Sequence, residues 1–185
     1  MGVTIHYQGQ LDRLEYLPKL IEELTDIAGS MDWESMRIER DEENSEFEGI
    51  VLSPADKCES ISFLFDREGR LRNIADLLTG RFEPDPALSF YIFVKTQFGK
   101  IETHLWIVGL LRYLKKKYLS NLKVTDEGEF WETGNIETLQ AKRGFLDSKI
   151  NEFSDALSKV TDVPDDIEGI MDKIEEIFRD MEKDG

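Results

Sequence analysis

The stretch LSFYIFVKTQFGKIETHLWIVGLLRYLKKKYLSNLKVTDEGEFWETGN, residues 88–135, decides the fold of this chain. Its patterning predicts a strand over 88–96, a strongly apolar helix over 101–118 and a short return strand over 122–126. A loop dense in acidic and aromatic residues follows, over 126–135. The strand is apolar on both faces, which predicts an interior strand covered on both sides. The helix is apolar on most of its circumference, which predicts burial on most of its circumference.

Alternating and helical patterns upstream complete an α+β sequence. Period-two alternation predicts strands over 3–8, 35–39, 47–52, 60–66 and 70–74. Helical spacing predicts a helix that begins near Leu17, because Pro18 is tolerated only in a first turn, and that ends at Gly29. We therefore expect a mainly antiparallel sheet of roughly six to eight strands packed against helices.

The C-terminal third predicts a pair of helices. Apolar residues recur at steps of three and four over 139–160 and again over 167–181, which is typical of amphipathic helices with coiled-coil-like seams. We expect an antiparallel helical hairpin that helps to cover the central helix. The whole chain, 1–185, is interpreted as one α+β domain, with the sheet and two helices in 1–135 and the hairpin as a subdomain in 136–185.

Composition and charge restrict the function classes. The 185 residues carry a formal net charge of −16, which disfavours nucleic acid or an anionic membrane as a partner of the whole surface. Only the segment 95–125 is basic, with seven basic side chains against one acidic. No apolar run is long enough to span a membrane, and we expect no signal peptide. The single cysteine, Cys58, excludes an internal disulfide, so we expect a cytoplasmic protein.

His104 is the leading catalytic candidate. It lies in the first turn of the predicted central helix, two residues after Glu102, and would act as a general base or a metal ligand. The favoured alternative is a partly buried histidine with satisfied hydrogen bonds. Lys95 and Gln97 precede the helix, whose N-terminal backbone amides are suited to hold an anion, so both are ligand-binding candidates. Two histidines and one cysteine make a zinc site of the usual type improbable.

The loop over 126–135 is the second candidate. Asp126, Glu127 and Glu129 are candidate ligands for magnesium or calcium, and Trp131 is a candidate for gripping a cationic ligand. The order of residues is not that of an EF-hand. The favoured alternative is an exposed loop whose aromatic residues plug the core. Sequence does not determine whether this loop meets His104, and no cofactor is expected.

A resemblance covers about a quarter of the chain. Its residues are Lys95-Thr96-Gln97-Phe98, His104, Leu110-Leu111-Arg112-Tyr113-Leu114, Lys117-Tyr118, Asp126-Glu127-Gly128 and Phe130-Trp131-Glu132-Thr133-Gly134. Together they resemble a group of uncharacterised bacterial proteins. The resemblance implies a bacterial cytoplasmic origin. No activity is attached to that group, so it carries no catalytic residue to this chain.

Two classes of function follow as hypotheses. The first is an acidic, non-enzymatic interaction or regulatory module with a protein partner or a homodimer, of which an inhibitor of a basic protein is a special case. The second is a small enzyme or ligand-binding protein, metal-assisted or not, with its site at His104 and the loop 126–132. The sequence contains no nucleophile elbow, P-loop or dinucleotide fingerprint, which excludes only the easily recognised enzyme classes.

Overall fold

The computed structural model describes residues 3–40, 46–79 and 92–158. The chain divides into two compact units, one formed by Gly2–Leu139 and the other by Met1 with Gln140–Gly185. All the described strands belong to the first unit. The architecture of that unit is α+β with antiparallel sheets, as the sequence predicts.

A three-stranded antiparallel sheet has the N-terminal strand β1 (Thr4–Gln8) at its centre. β6 (Ile92–Lys95) pairs with one edge of β1, and β7 (Lys123–Asp126) pairs with the other. The expectation that the strand before the central helix is interior and covered on both sides is therefore wrong. Its described residues alternate between buried and exposed, and Phe93 is 45% exposed. The interior strand is instead β1, whose Ile5 and Tyr7 are completely buried.

The remaining described strands form a second antiparallel sheet in sequence order. They are β2 (Glu34–Ile38), β3 (Glu48–Ser53), β4 (Ile61–Phe65) and β5 (Leu71–Arg72). The expected single sheet is thus two sheets, joined by isolated bonds instead of a continuous ladder. Leu71 donates its amide to the carbonyl of Gly9 at 2.9 Å, and the hydroxyl of Tyr7 donates to the carbonyl of Ser62 at 2.7 Å.

The described helices lie between and after these strands along the chain. A single 3-10 turn (Leu14–Tyr16) leads into α1 (Leu17–Ser30), and the short α2 (Ile74–Thr79) follows β5. α3 (Ile101–Lys117) comes after β6, and the one-turn α4 (Phe130–Thr133) comes after β7. α5 (Ile136–Ser158) agrees with the first helix of the predicted hairpin. The second predicted helix, over 167–181, lies outside the described residues.

α1 ends later than its glycine suggests. The helix continues through Gly29 to Ser30, and the left-handed residue is Asp32, with φ of 56°. Trp33 donates its amide to the carbonyl of Ala28 at 2.9 Å, and Asp32 donates to Gly29 at 3.4 Å. These are the two hydrogen bonds of a Schellman motif, with aspartate where glycine is usual. Trp33 is consequently turned back against the helix end, where it packs on the core.

α3 buries one broad face and not most of its circumference. That face contributes Thr103, His104, Ile107, Val108, Leu110, Leu111 and Leu114 to the interior. Trp106 is 60% exposed and Tyr113 is 38% exposed, so the part of the predicted apolar circumference that they form lies at the surface. Periodicity treats both aromatic residues as core material, although their polar groups allow them to lie at a surface. Among the described helices, none is long and apolar enough to cross a membrane.

Candidate functional site

His104 lies at the centre of a buried polar cluster. Its ring is 0% exposed, with Nε2 3.0 Å from Oδ2 of Asp126 and Nδ1 2.7 Å from Oγ1 of Thr96. Thr96 follows β6 and Asp126 ends β7, the two strands that flank β1. The central strand thus brings two distant loops to the first turn of α3. His104 and the loop after β7 do converge, which the sequence left open.

Asp126 is the anionic end of the cluster. Its Oδ1 accepts the amide of Gly128 at 2.7 Å, and its Oδ2 accepts the amide of Trp131 at 3.0 Å in addition to His104. Burial alone would raise the pKa of this carboxyl, but His104 and the two amides outweigh burial and hold the pKa below its usual range. An ionised carboxylate only accepts hydrogen bonds, so Nε2 of His104 is the donor.

The hydroxyl of Thr96 completes the cluster in either of two arrangements. Its Oγ1 lies 2.7 Å from Nδ1 of His104 and 3.1 Å from the carbonyl oxygen of Val3. A neutral imidazole accepts the hydroxyl proton, whereas an imidazolium donates to Oγ1 while the hydroxyl donates to Val3. The Val3 carbonyl also accepts the amide of Thr96 at 3.0 Å, so it keeps a partner in both cases. No buried side-chain nitrogen or oxygen in the described residues lacks a hydrogen-bond partner.

The cluster has the order of groups of a catalytic triad. The hydroxyl of Thr96 stands where the nucleophile would be, His104 where the base would be and Asp126 where the group that orients the base would be. Accessibility argues against that chemistry, because Thr96 and His104 are both 0% exposed. Close packing leaves little space for a substrate. A Cβ atom added to Gly128 would lie 2.6 Å from Cδ1 of Leu139 and 3.2 Å from Cε1 of His104. The arrangement as it stands fastens α3 to the ends of β6 and β7.

The N-terminus of α3 already holds an anion from this chain. Oδ2 of Asp56 accepts the amide of Lys100 at 2.6 Å and the hydroxyl of Thr103 at 2.7 Å, and Oδ1 accepts the amide of Cys58 at 2.9 Å. Burial opposes ionisation, yet these donors lower the pKa of Asp56. The sequence predicted that the N-terminus of this helix is suited to hold an anion, but it did not identify Asp56 as the anion that lies there. Asp56 lies in a turn far upstream, and no local pattern connects it to α3.

The predicted ligand-binding residues make internal contacts. Oε1 of Gln97 accepts the amide of Val3 at 3.1 Å, and Nζ of Lys95 lies 6.0 Å from the ring centroid of Phe93. The indole of Trp131 packs against the core, and the guanidinium of Arg112 lies 5.6 Å from a ring centroid of that indole. The structure does not bring these three candidates into one pocket. The indole of Trp131 instead lies close to a cation of this chain, the guanidinium of Arg112 in α3.

Each of the predicted metal ligands makes its own separate contacts within the chain. Oε2 of Glu127 accepts the amide of Thr4 at 3.1 Å, and Oε1 lies 3.7 Å from Nε2 of His6. Glu129 is an exposed residue with φ of 59°, and its amide donates to the carbonyl of Asp126 at 2.9 Å. In the part of the chain that the structure describes, no three histidine, cysteine or carboxylate side chains are grouped to hold a metal ion.

Glu102 belongs to a different part of the surface from His104. Residues two apart in a helix do not face each other, so Glu102 is exposed while His104 is buried. It lines an open groove of about 720 Å³ between the end of α1 and the start of α3. The groove is lined by Asp26, Ile27, Ser30, Met31, Asp32, Trp33, Glu102, Thr103 and Trp106. We call it the α1–α3 groove, and sequence reasoning did not find it because its two walls are distant along the chain.

A carboxylate fixes α1 to α3 farther along the two helices. Glu23 accepts hydrogen bonds from the hydroxyl of Tyr113 at 2.6 Å, the hydroxyl of Tyr118 at 2.7 Å and Nζ of Lys117 at 2.6 Å. Lys117 and the hydroxyls outweigh the smaller effect of desolvation and lower the pKa of Glu23 to about 2. The spacing of the two walls of the α1–α3 groove is set in part by this contact.

Glu23 should make stability depend on pH in the acid range. Its folded pKa lies below the ordinary carboxyl value, so its contribution is complete above about pH 4.5 and is lost as the pH falls from there toward 2. We expect Glu23→Gln to lower the urea midpoint at pH 7 and to flatten its dependence on pH over that window. Urea unfolding at several pH values measures this. Equal pH profiles for the variant and the wild type would contradict the prediction.

Comparison of the chain with family models, with curated proteins and with solved structures found no match.

Proposed function

We propose that this chain is a non-enzymatic interaction module that binds a positively charged partner protein. One contrast carries the proposal. The sealed His104 cluster offers no surface to a ligand, whereas the α1–α3 groove is open and combines two tryptophans with three carboxylates. The net charge of −16 favours a basic partner by long-range attraction. A bacterial cytoplasmic setting, which the resemblance and the single cysteine imply, belongs to the same proposal.

Titration calorimetry tests this function. The probes are two synthetic peptides of equal length, one alternating arginine with leucine and the other alternating glutamate with leucine. We expect saturable one-to-one binding of the arginine peptide only, which weakens as ionic strength rises because exposed charges are screened. Failure of the arginine peptide to bind at low salt would contradict the proposal. A partner-free homodimer, measured as twice the chain mass, would favour self-association instead.

An enzyme remains the second candidate because of one observation, the order of Thr96, His104 and Asp126. This function would require the cluster to open, since the hydroxyl of Thr96 and the ring of His104 are both completely buried. A fluorophosphonate probe that reacts with activated hydroxyls separates the two candidates. We expect no covalent adduct on Thr96 in the native protein by mass spectrometry. An adduct that disappears in His104→Gln would favour the enzyme.

A further inference from the structure

We infer that the α1–α3 groove is the docking site for an arginine side chain carried by an apolar segment of the partner. This inference rests on the proposed interaction function and specifies where and how the partner is held. The groove recognises a cation that has an apolar stem, because its lining combines indole rings and aliphatic side chains with carboxylates. Arginine matches that chemistry through its planar guanidinium and its methylene stem.

The apolar part of the groove has the composition of a binding hot spot. Trp106 is 60% exposed on α3, although the opposite face of the same helix is buried. Trp33 is anchored against the core by the end of α1, so its ring is held in place on the other wall. Tryptophan gives the strongest cation–π attraction and is enriched at interface hot spots. The two indoles thus supply the contact area that an arginine stem and guanidinium need.

The electrostatic part of the groove favours a cation from outside. Asp26, Asp32 and Glu102 line it, and none of them forms an ion pair with a cation in the described residues. The end of α1 adds to this field, because helix C-termini carry partial negative charge and the last turn of α1 contains no basic residue. An arginine bound here would therefore neutralise a local excess of negative charge.

Other occupants fit the same charges less well. Residues 159–185 of this chain, which lie outside the described ranges, carry four basic and ten acidic side chains. A second copy of the chain brings a net charge of −16. The first would place a predominantly negative segment against three carboxylates, and long-range repulsion between two chains of this net charge opposes the approach of a second copy. A separate basic partner is the occupant that complements the groove.

The walls of the groove are also held in position by contacts within this chain. Glu23 joins α1 to α3 on one side, and Asp56 caps the first turn of α3 through Lys100 and Thr103. Both walls are therefore fixed before a partner arrives. A preformed site loses less conformational entropy on binding than one that must be assembled.

Peptide binding to the full chain tests the inference. A fluorescein-labelled peptide of alternating arginine and leucine is titrated against the wild type, Trp106→Ala and Phe98→Ala, with anisotropy as the readout. Phe98 is 57% exposed and does not line the groove, which makes it an exposure-matched control. We expect Trp106→Ala to weaken binding at least about tenfold and Phe98→Ala to change it less than about twofold. Replacing arginine with citrulline, which is neutral and of similar shape, should abolish binding.

Asp32→Gly separates binding from folding. Glycine suits the left-handed backbone at this position, so the variant should unfold at higher urea than the wild type. It also removes a groove carboxylate, so peptide binding should weaken severalfold. A variant that is more stable and yet binds less well cannot owe its defect to misfolding. Unchanged peptide affinity in this variant would count against the role of Asp32 in the groove.

The possible failures have different meanings. If the wild type binds the arginine peptide and Trp106→Ala binds it equally, the groove assignment is overturned while the interaction function survives. If the wild type does not bind the peptide, both fail. Hydroxyl-radical footprinting should oxidise Trp106 in the free chain and protect it when the peptide is bound. Protection already present in the free chain would mean that another segment or a second copy fills the groove, and would overturn the inference.

Discussion

Asp126→Ala is expected to lower the free energy of unfolding by about 3–5 kcal/mol, because a buried donor that loses its acceptor costs about 1–3 kcal/mol and this carboxylate accepts from three donors. The substitution deprives Nε2 of His104 of its acceptor and leaves the amides of Gly128 and Trp131 without theirs. All of these groups lie at the junction of β7, α3 and α4. Urea unfolding followed by circular dichroism at pH 7 gives the difference.

Asp126→Asn is the matched control for charge. The amide has nearly the same shape and retains one acceptor oxygen, so we expect a smaller loss of about 1–3 kcal/mol. The folded pKa of Asp126 lies below its ordinary value, so the charge stabilises the fold above the ordinary carboxyl range and less as the pH falls through it. The asparagine variant should therefore lose less stability in acid than the wild type. If the free energy of unfolding of Asp126→Ala lies within about 1 kcal/mol of the wild-type value, the cluster does not stabilise the attachment of α3 to the strands.

Gly49→Ala is expected to cost at least about 3 kcal/mol or to prevent folding. A Cβ atom at this position would overlap the carbonyl oxygen of Phe63 and lie 2.9 Å from Cα of Leu64. Both atoms are backbone atoms of β4, and Gly49 pairs directly with Leu64. The clash cannot be relieved by a side-chain rotation and requires the two strands to separate. Far-ultraviolet circular dichroism and urea unfolding measure the effect.

Gly109→Ala makes the same chemical change in a different setting. Gly109 is exposed in α3, and nothing lies within 4 Å of an added Cβ atom. Alanine has the higher helix propensity, so we expect this variant to be more stable than the wild type by about 1 kcal/mol. Opposite signs at the two glycines would confirm that close backbone approach, and not the loss of glycine itself, determines the cost. Destabilisation of similar size at both positions would contradict the clash at Gly49.

Local patterns in the sequence were sufficient to predict most elements. The periodicity of the apolar residues agrees with the structure at three places. These are the start of α1 at Leu17, the extent of α3 over Ile101–Lys117 and the strand β1. The predicted burial of most of the circumference of α3 was wrong at Trp106, because periodicity assigns an aromatic residue to a face but does not determine whether that face is covered. The arrangement in two sheets also escaped prediction, since it depends on pairing between distant segments.

The sequence predicted individual residues of the candidate site but not the contacts between them. His104 and Asp126 were both selected from sequence, but the contact between them follows from the register of β1, which places Ile5 opposite both Val94 and Asp126. Thr96 was overlooked as a partner, because a lone threonine after a strand has no distinguishing pattern. Asp56 was overlooked for the same reason. Long-range pairings of this kind are a property of the topology and leave no local trace in the sequence.

The central place of β1 has a consequence for synthesis on the ribosome. Its two neighbours are made much later, because Thr4–Gln8 pairs with Ile92–Lys95 and Lys123–Asp126. The sheet of β2 to β5 contains only sequential neighbours, so it can form while translation continues. The apolar first strand, by contrast, must wait without its partners until most of the chain has emerged. A ribosome that stalls before Ile92 would hold a nascent chain whose first strand has neither partner and is prone to aggregate.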